Sequence, residues 1–264
     1  MKLSLVIPAR NEAPQIAATI DDLRNHLDGA GVTDLEILVV DDGSDDDTAA
    51  IVESLGTADS RVRLLRNTGE HGFGRTVRVG LEAFTGDAVI VTMADASDAP
   101  ADVETYFRVL RDRAECAFGS RFVRGAERSG YPRFKLGINR AANSLIRVLF
   151  GLRYNDVTNA FKGYRRCVIE GCRPFISPHF NLTIEIPLKA ITRGYTYEVT
   201  PISWHNRDVG TSSLLLKEQG SRYLYVLLSV WFEWLLVRHD YRRPSSEAFR
   251  PWADEVDGAR EGER

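Results

Sequence analysis

The chain has 264 residues, 44% hydrophobic and 27% charged, which is enough for one large domain with a sizeable core. A formal net charge of -3 carries no footprint for nucleic acid, and no run approaches the roughly 18 apolar residues of a bilayer-spanning helix. Cys116, Cys167 and Cys172 form no metal-ligand spacing with histidine and suit reduced thiols in a cytoplasmic protein. The short apolar run at the N-terminus is not a secretory signal and leads directly into structure.

Residues 3–7 are an apolar strand stopped by Pro8, and the spacing of Ile16, Ile20, Leu23 and Leu27 predicts a helix after it. Residues 35–40 form a second buried strand ending in Asp41-Asp42-Gly43-Ser44, followed by a helix over 48–55 and a short strand over 62–65. Gly72-Phe73-Gly74 opens a helix carrying Val77, Leu81 and Phe84. The next strand, from Val89, runs into Asp95, Ser97, Asp98 and Pro100. A helix over 103–110 then leads to a fifth strand over 114–119, ending in Ser120-Arg121. Strands alternating with helices at this spacing predict an α/β fold with a mostly parallel central sheet flanked by helices.

Ligands of such sheets bind outside the carboxyl ends of the strands, where three of these strands place polar or acidic residues. Asp95 and Asp98 are hard oxygen donors for Mg²⁺ or Mn²⁺, and through the ion for a diphosphate. Asp98 also reads as the N-cap of the following helix.

Beyond Arg121 the pattern changes. Residues 124–140 are basic and turn-rich, with Arg124, Arg128, Arg133, Lys135 and Arg140. They read as a cationic loop opposite the acidic site, suited to an anionic acceptor, or as a solvated loop. A helix with Ala142, Leu145, Ile146 and Leu149 follows, then a polar segment over 155–162 that reads as a site loop or an edge strand. A helix over 180–190 carries Glu185, and 197–203 is a further strand. Residues 223–237 hold Trp231, Phe232 and Trp234 between basic flanks. This pattern fits a helix lying in a membrane interface, or one packed on the domain or on a second subunit as a homodimer contact. From Pro244 the chain lacks periodicity and is expected to be disordered.

Ile-Pro-Ala-Arg-Asn-Glu, Val-Val-Asp-Asp-Gly-Ser-Asp-Asp-Asp-Thr, an acidic strand end, Gly-Ser-Arg and Thr-Asn-Ala-Phe-Lys-Gly-Tyr occur here in that order. The series resembles the GT-A glycosyltransferases of family 2, and within them the dolichol-phosphate mannose synthase type. The resemblance covers about residues 1–215, leaving 216–243 as an amphipathic helical segment and 244–264 as the tail. It implies a Rossmann-like GT-A domain and a nucleotide-sugar donor, with Pro8, Ala9, Arg10, Glu12, Asp41, Asp42 and Ser97 lining the nucleotide pocket. Asp95 would ligate the divalent metal, with Asp98 as second carboxylate, and Arg121, Lys135 and Arg140 would neutralise an acceptor phosphate. Arg207, in a segment resembling the family's Asp-Arg-x-x-Gly-x-Ser-Lys, would close over the donor phosphates.

Two departures stand out. Met93 falls where the family's first metal-binding aspartate is expected, and thioether sulfur is a poor partner for Mg²⁺. Ser213 stands in place of the family's Lys, with Lys217 one turn away. The expected reaction is inverting transfer of a sugar from GDP-mannose or a UDP-sugar to a polyprenyl phosphate, on the inner face of the membrane. A hydroxyl acceptor would instead need a general base, for which Asp156 and Glu185 are candidates. A nucleotide-sugar-binding protein that has lost transfer is a third reading.

Overall fold

A computed structural model describes residues 1–129, 133–205, 216–243 and 248–253. The chain alternates β1 (Leu3–Ala9), α1 (Ile16–Gly29), β2 (Leu35–Asp41), α2 (Thr48–Ala58), β3 (Val62–Arg66), α3 (Phe73–Ala83), β4 (Ala88–Val91), α4 (Pro100–Asp112) and β5 (Cys116–Ser120). There follow β6 (Glu127–Ser129), α5 (Arg133–Phe150), β7 (Lys162–Arg165), α6 (Arg166–Cys172), α7 (Leu182–Thr192), β8 (Tyr197–Pro201) and β9 (Ser203–His205). The long helix α8 (Leu216–Leu236) and the short α9 (Arg238–Tyr241) come last.

Seven strands form one sheet in the order β3-β2-β1-β4-β7-β5-β8, and β6 pairs with β9 outside it. All pairings in the large sheet are parallel except those of β7, which runs antiparallel between β4 and β5. Because β7 reverses against both neighbours, β4 and β5 still point the same way. The carboxyl ends of β1, β2, β4 and β5 therefore share one edge.

Side-chain alternation along the strands divides the core in two. Leu3, Leu5, Ile7, Ile37 and Val39 pack with Ile20, Leu23, Val52, Val103 and Tyr106 of α1, α2 and α4. Val6, Leu38 and Val40 pack on the other face with Val77 and Leu81 of α3, Ile184 and Leu188 of α7, and Val226 and Val230 of α8.

Three expectations shift. The segment 155–162 leads into a central antiparallel strand, not an edge strand: β7 carries buried Lys162 and Arg165, a composition unlike a buried strand's. The second half of the basic stretch is helical from Arg133, with Gly137 inside the helix. Of the stretch expected to lack structure, residues 248–253 are described. There the Arg165 guanidinium lies 4.6 Å from the Phe249 ring centroid and donates to the Arg250 carbonyl at 2.9 Å.

Candidate functional site

The parallel register opposes Ala9 to Asp41, so the turns after β1 and β2 leave the sheet side by side. Short side chains stitch them together. Asn11, with φ 56°, donates its N–H to Ser44 Oγ at 3.0 Å and accepts from the Asp45 N–H through Oδ1 at 2.8 Å. The Glu12 and Ala13 N–H groups donate to Thr48 Oγ1 at 2.9 Å and Asp46 Oδ2 at 3.1 Å. Pro8 and Ala9 are buried and Arg10 is exposed beside them.

The two carboxylates at the end of β2 hold main chain. Asp41 accepts from the Ser44 N–H at 3.2 Å. Asp42 accepts from Asn67 Nδ2 at 2.6 Å and from the Gly72 N–H at 3.0 Å, with His71 Nδ1 3.7 Å away. Gly72 has φ 153°, and a Cβ there would stand 2.5 Å from the Pro178 carbonyl oxygen, so only glycine lets this loop reach Asp42. Each carboxylate oxygen has two lone-pair directions, so this bonding leaves Asp42 acceptor capacity for a ligand N–H.

At the end of β4, Asp95 is half-buried and its Oδ1 accepts the Ser97 N–H at 3.2 Å across Ala96, which has φ 54°. Asp98 turns inward: its Oδ2 accepts from the Met93 N–H at 3.0 Å and from Thr92 Oγ1 at 3.2 Å. Burial pushes the Asp98 carboxyl up to about 7, and the like charges of Asp95 and Asp102 add to it against those two hydrogen bonds. Asp98 is thus a strut of the loop. The expected N-cap does not form: Ala99 occupies that position, and its side chain has no oxygen to offer.

Among the described residues no three His, Cys, Asp or Glu side chains gather to hold a metal. A single carboxylate is nevertheless a fitting donor set for Mg²⁺, which keeps waters and takes its other ligands from substrate phosphates. Asp95 meets that requirement.

Arg121 follows β5 and is buried against Asp156, which has no exposure at all. Asp156 accepts the Arg121 main-chain N–H at 3.0 Å, Nε at 2.8 Å and Nη2 at 2.7 Å, a bidentate charge-assisted pair. The guanidinium carbons of Arg121 and Arg140 each lie 5.6 Å from the Phe122 ring centroid. Two of the three cations expected around an acceptor phosphate therefore share one aromatic ring. The side chain of Lys135 and the whole of Arg207 and Ser213 lie outside the described residues, as does the side chain of Lys217.

Beneath this pair Lys162 is buried and donates to the carbonyls of Val157, at 2.9 Å, and Asn159. Burial lowers its ammonium to about 7, with Asp156 opposing and Arg121 reinforcing the shift. Tyr106 links the two halves of the edge. Its hydroxyl donates to the Phe161 carbonyl at 3.1 Å, and its pKa is raised by burial first, then by Tyr154, Asp98, Asp102 and Asp156.

Neither base candidate is disposed for catalysis. Asp156 is paired as described, and the fully buried Glu185 accepts from the Ile176 and Ser177 N–H groups and from Lys189 Nζ at 2.8 Å. Phe122, Asn67 and Gly72 carry no site signal in the sequence, where Gly72-Phe73-Gly74 signals only a helix start.

α8 packs on α7 and α5 through Val226, Leu227 and Val230. Its opposite face leaves Leu224, Tyr225, Leu228, Phe232, Leu235 and Leu236 exposed, Leu236 at 71%. α5 beside it exposes Leu145 and Val148, the latter at 83%. A mostly apolar cavity of about 300 Å³ opens between α8 and the segment before α7, lined by Ile176, Pro178, Asn181, Arg222, Tyr225 and Val226. None of the described helices is long and apolar enough to cross a membrane.

Residues 4–172 match the family described as glycosyl transferase family 2. A polyprenol monophosphomannose synthase of Mycolicibacterium smegmatis is 30% identical over 216 residues, covering 80% of both chains. An undecaprenyl-phosphate mannosyltransferase of Micrococcus luteus is 27% identical, covering 81% of this chain and 88% of its own. Among solved structures, glucosyl-3-phosphoglycerate synthase from Mycobacterium tuberculosis, in complex with Mn²⁺, UDP and phosphoglyceric acid, superposes with a TM-score of 0.65. It is 21% identical, over 87% of this chain and 78% of that one, and the likeness is one of fold.

Proposed function

Since the chain belongs to glycosyl transferase family 2, we propose that it moves a hexose, mannose above all, from a nucleoside-diphosphate donor to a polyprenyl monophosphate. The observation that carries this reading is the pairing of Arg121 and Arg140 about Phe122, on the sheet edge that also bears Asp95. The names of the relatives in Mycolicibacterium smegmatis and Micrococcus luteus support the acceptor class.

The donor would lie across the ends of β1, β2 and β4. Pro8, Ala9, Arg10 and Glu12 flank the nucleoside, Asp42 accepts from a ring N–H of the base, and Ser97 and Asp95 face the diphosphate. A divalent ion held by Asp95 would supply charge neutralisation for the leaving nucleoside diphosphate. By the family resemblance Arg207, which lies outside the described residues, would meet the donor phosphates and help exclude water from the activated sugar.

A phosphate monoester has a second pKa near about 6, so the acceptor is mostly a dianion at neutral pH and can attack the anomeric carbon without a base. That attack breaks the bond to the diphosphate and inverts the carbon. Arg121 and Arg140 orient and partly neutralise the attacking phosphate. The burial of Asp156 and Glu185 in internal pairs weighs against a hydroxyl acceptor, which needs an available base.

The apolar side chains exposed along α8 and α5, and the exposed Arg238 and Arg242 beyond α8, are suited to the headgroup boundary where a prenyl chain lies. The test is transfer from radiolabelled GDP-mannose and UDP-glucose to a short-chain polyprenyl phosphate. It is run alongside thermal shifts with GDP and UDP, with and without Mn²⁺. A matching nucleoside diphosphate at a hundredfold excess over its Kd stabilises the chain by about 2.7 kcal/mol. Transfer to a saccharide hydroxyl but not to the lipid phosphate overturns the reading.

A further inference from the structure

Arg121 and Arg140 come from separate elements, the end of β5 and the middle of α5, so something must set their relation. Residues 154–161 run between them. At one end Asp156 takes the main-chain N–H, Nε and Nη2 of Arg121, fixing the plane of the guanidinium. At the other end Thr158 is tied to α5: its Oγ1 accepts from Asn139 Nδ2 at 3.1 Å and Asn143 Nδ2 at 3.0 Å. Its N–H donates to Asn143 Oδ1 at 3.3 Å. Asn139 is the residue before Arg140. Lys162 holds the segment from below by its bonds to two carbonyls.

We propose that Asp156 and Thr158 are positioning residues that set the orientation and separation of Arg121 and Arg140, so that the two cations receive one monoester phosphate. This rests on the acceptor reading above. A long cationic side chain ordered before binding loses less conformational freedom when it engages the phosphate. Asp156 itself touches no substrate, since its carboxylate is wholly buried and both oxygens are engaged by Arg121.

The experiment is steady-state kinetics of the full chain with a short polyprenyl phosphate varied at saturating donor, together with donor affinity by calorimetry. Asp156→Asn is expected to raise acceptor KM about tenfold or more with donor Kd within about twofold, and Asp156→Glu to recover part of the loss. Thr158→Val, a near-isosteric change outside the ion pair, is expected to raise acceptor KM about three- to fivefold. Glu115→Gln breaks another buried carboxylate's pair, with Arg243, at the amino end of β5, the opposite end of that strand from Arg121. It should lower thermal stability while leaving acceptor KM within about twofold, which separates positioning from plain structural support.

The proposal is overturned if Asp156→Asn and Thr158→Val both leave acceptor KM unchanged, or if donor Kd rises as much as acceptor KM. Should Asp156→Asn not fold, Thr158→Val decides alone. An active wild type with unmoved variants removes only this inference. A wild type that transfers nothing to the lipid phosphate removes the functional reading and this inference with it.

Discussion

Asp42 and Asp156 are both buried carboxylates just beyond the carboxyl edge of the sheet, yet they are held by different kinds of donor. Asp42 accepts from a neutral amide, Asn67, and a main-chain N–H, Gly72. Asp156 accepts a guanidinium. The same contrast runs through the two regions around them. On the β1–β4 side, Asp41 and Asp98 are also fastened by main-chain N–H groups and a hydroxyl, with no cation among the described residues bound to either. On the β5–α5 side, the carboxylate is consumed internally and what stands beside the ring of Phe122 is cationic. The proposed function would call for this division: a carboxylate toward a metal-diphosphate at one end and cations toward a phosphate monoester at the other.

The largest effect expected from breaking the division is at Asp95. Asp95→Asn keeps the shape and removes the charge toward the ion, so transfer should fall by about a hundredfold to a thousandfold. The Mn²⁺-dependent part of the nucleoside-diphosphate thermal shift should disappear with it. A variant that keeps both would take the metal away from Asp95.

Arg121→Ala breaks the other side. The kcat/KM for the acceptor should fall about a hundredfold, close to 2.7 kcal/mol, with donor affinity unchanged. Because Asp156 is then a buried charge without its cation, unfolding free energy should drop as well, by about 3–5 kcal/mol in a denaturant melt. Arg121→Lys keeps the charge and loses the bidentate geometry, so the kinetic defect should be smaller and the stability loss partial.

The two sides differ also in how far they can be read without coordinates. The β1–β4 side is written locally: apolar runs of strand length are followed at once by Asp41-Asp42 and by Asp95, Ser97 and Asp98, so each strand end is legible in its own stretch of sequence although the strands lie in the order β3-β2-β1-β4. The β5–α5 side is made by pairings far apart in sequence. Asp156 lies 35 residues from Arg121, and nothing near it marks it as the partner of an arginine instead of a base. The strand β7 was missed for a related reason. Its Lys162 and Arg165 break the apolar run expected of a central strand, and both are tolerated because buried carbonyls accept their protons. Asp98, read as a possible metal ligand and N-cap, shows that a carboxylate's direction is set by which main-chain groups fall within reach of it.

Asn67→Ala probes the neutral donors at Asp42. Loss of one hydrogen bond to a buried carboxylate costs about 1–3 kcal/mol. If the loop before α3 is what orients Asp42 toward a base, the loss should appear as a several-fold rise in donor KM with acceptor KM unmoved. A rise in acceptor KM instead would mean that the two ends of the edge are mechanically coupled.

The smallest expected effect concerns the lysine beneath the acceptor side. In the folded chain burial holds Lys162 at about 7, against 10.5 for the ordinary side chain. Between these values the unfolded chain binds a proton that the folded chain does not, so this residue makes stability rise with pH. The slope from a single proton is at most about 1.4 kcal/mol per pH unit. Below pH 7 both states are protonated and the penalty for the buried charge is constant. Lys162→Met removes the term, so the unfolding free energy of the wild type relative to the variant should rise steadily from pH 7 to pH 9 in urea melts. Parallel pH profiles would mean that the ammonium stays charged throughout, sharing Asp156 with Arg121. In that case the cationic side would carry a third buried charge close to Asp156 and Arg121, and the contrast with the β1–β4 side would be greater than the hydrogen bonds alone suggest.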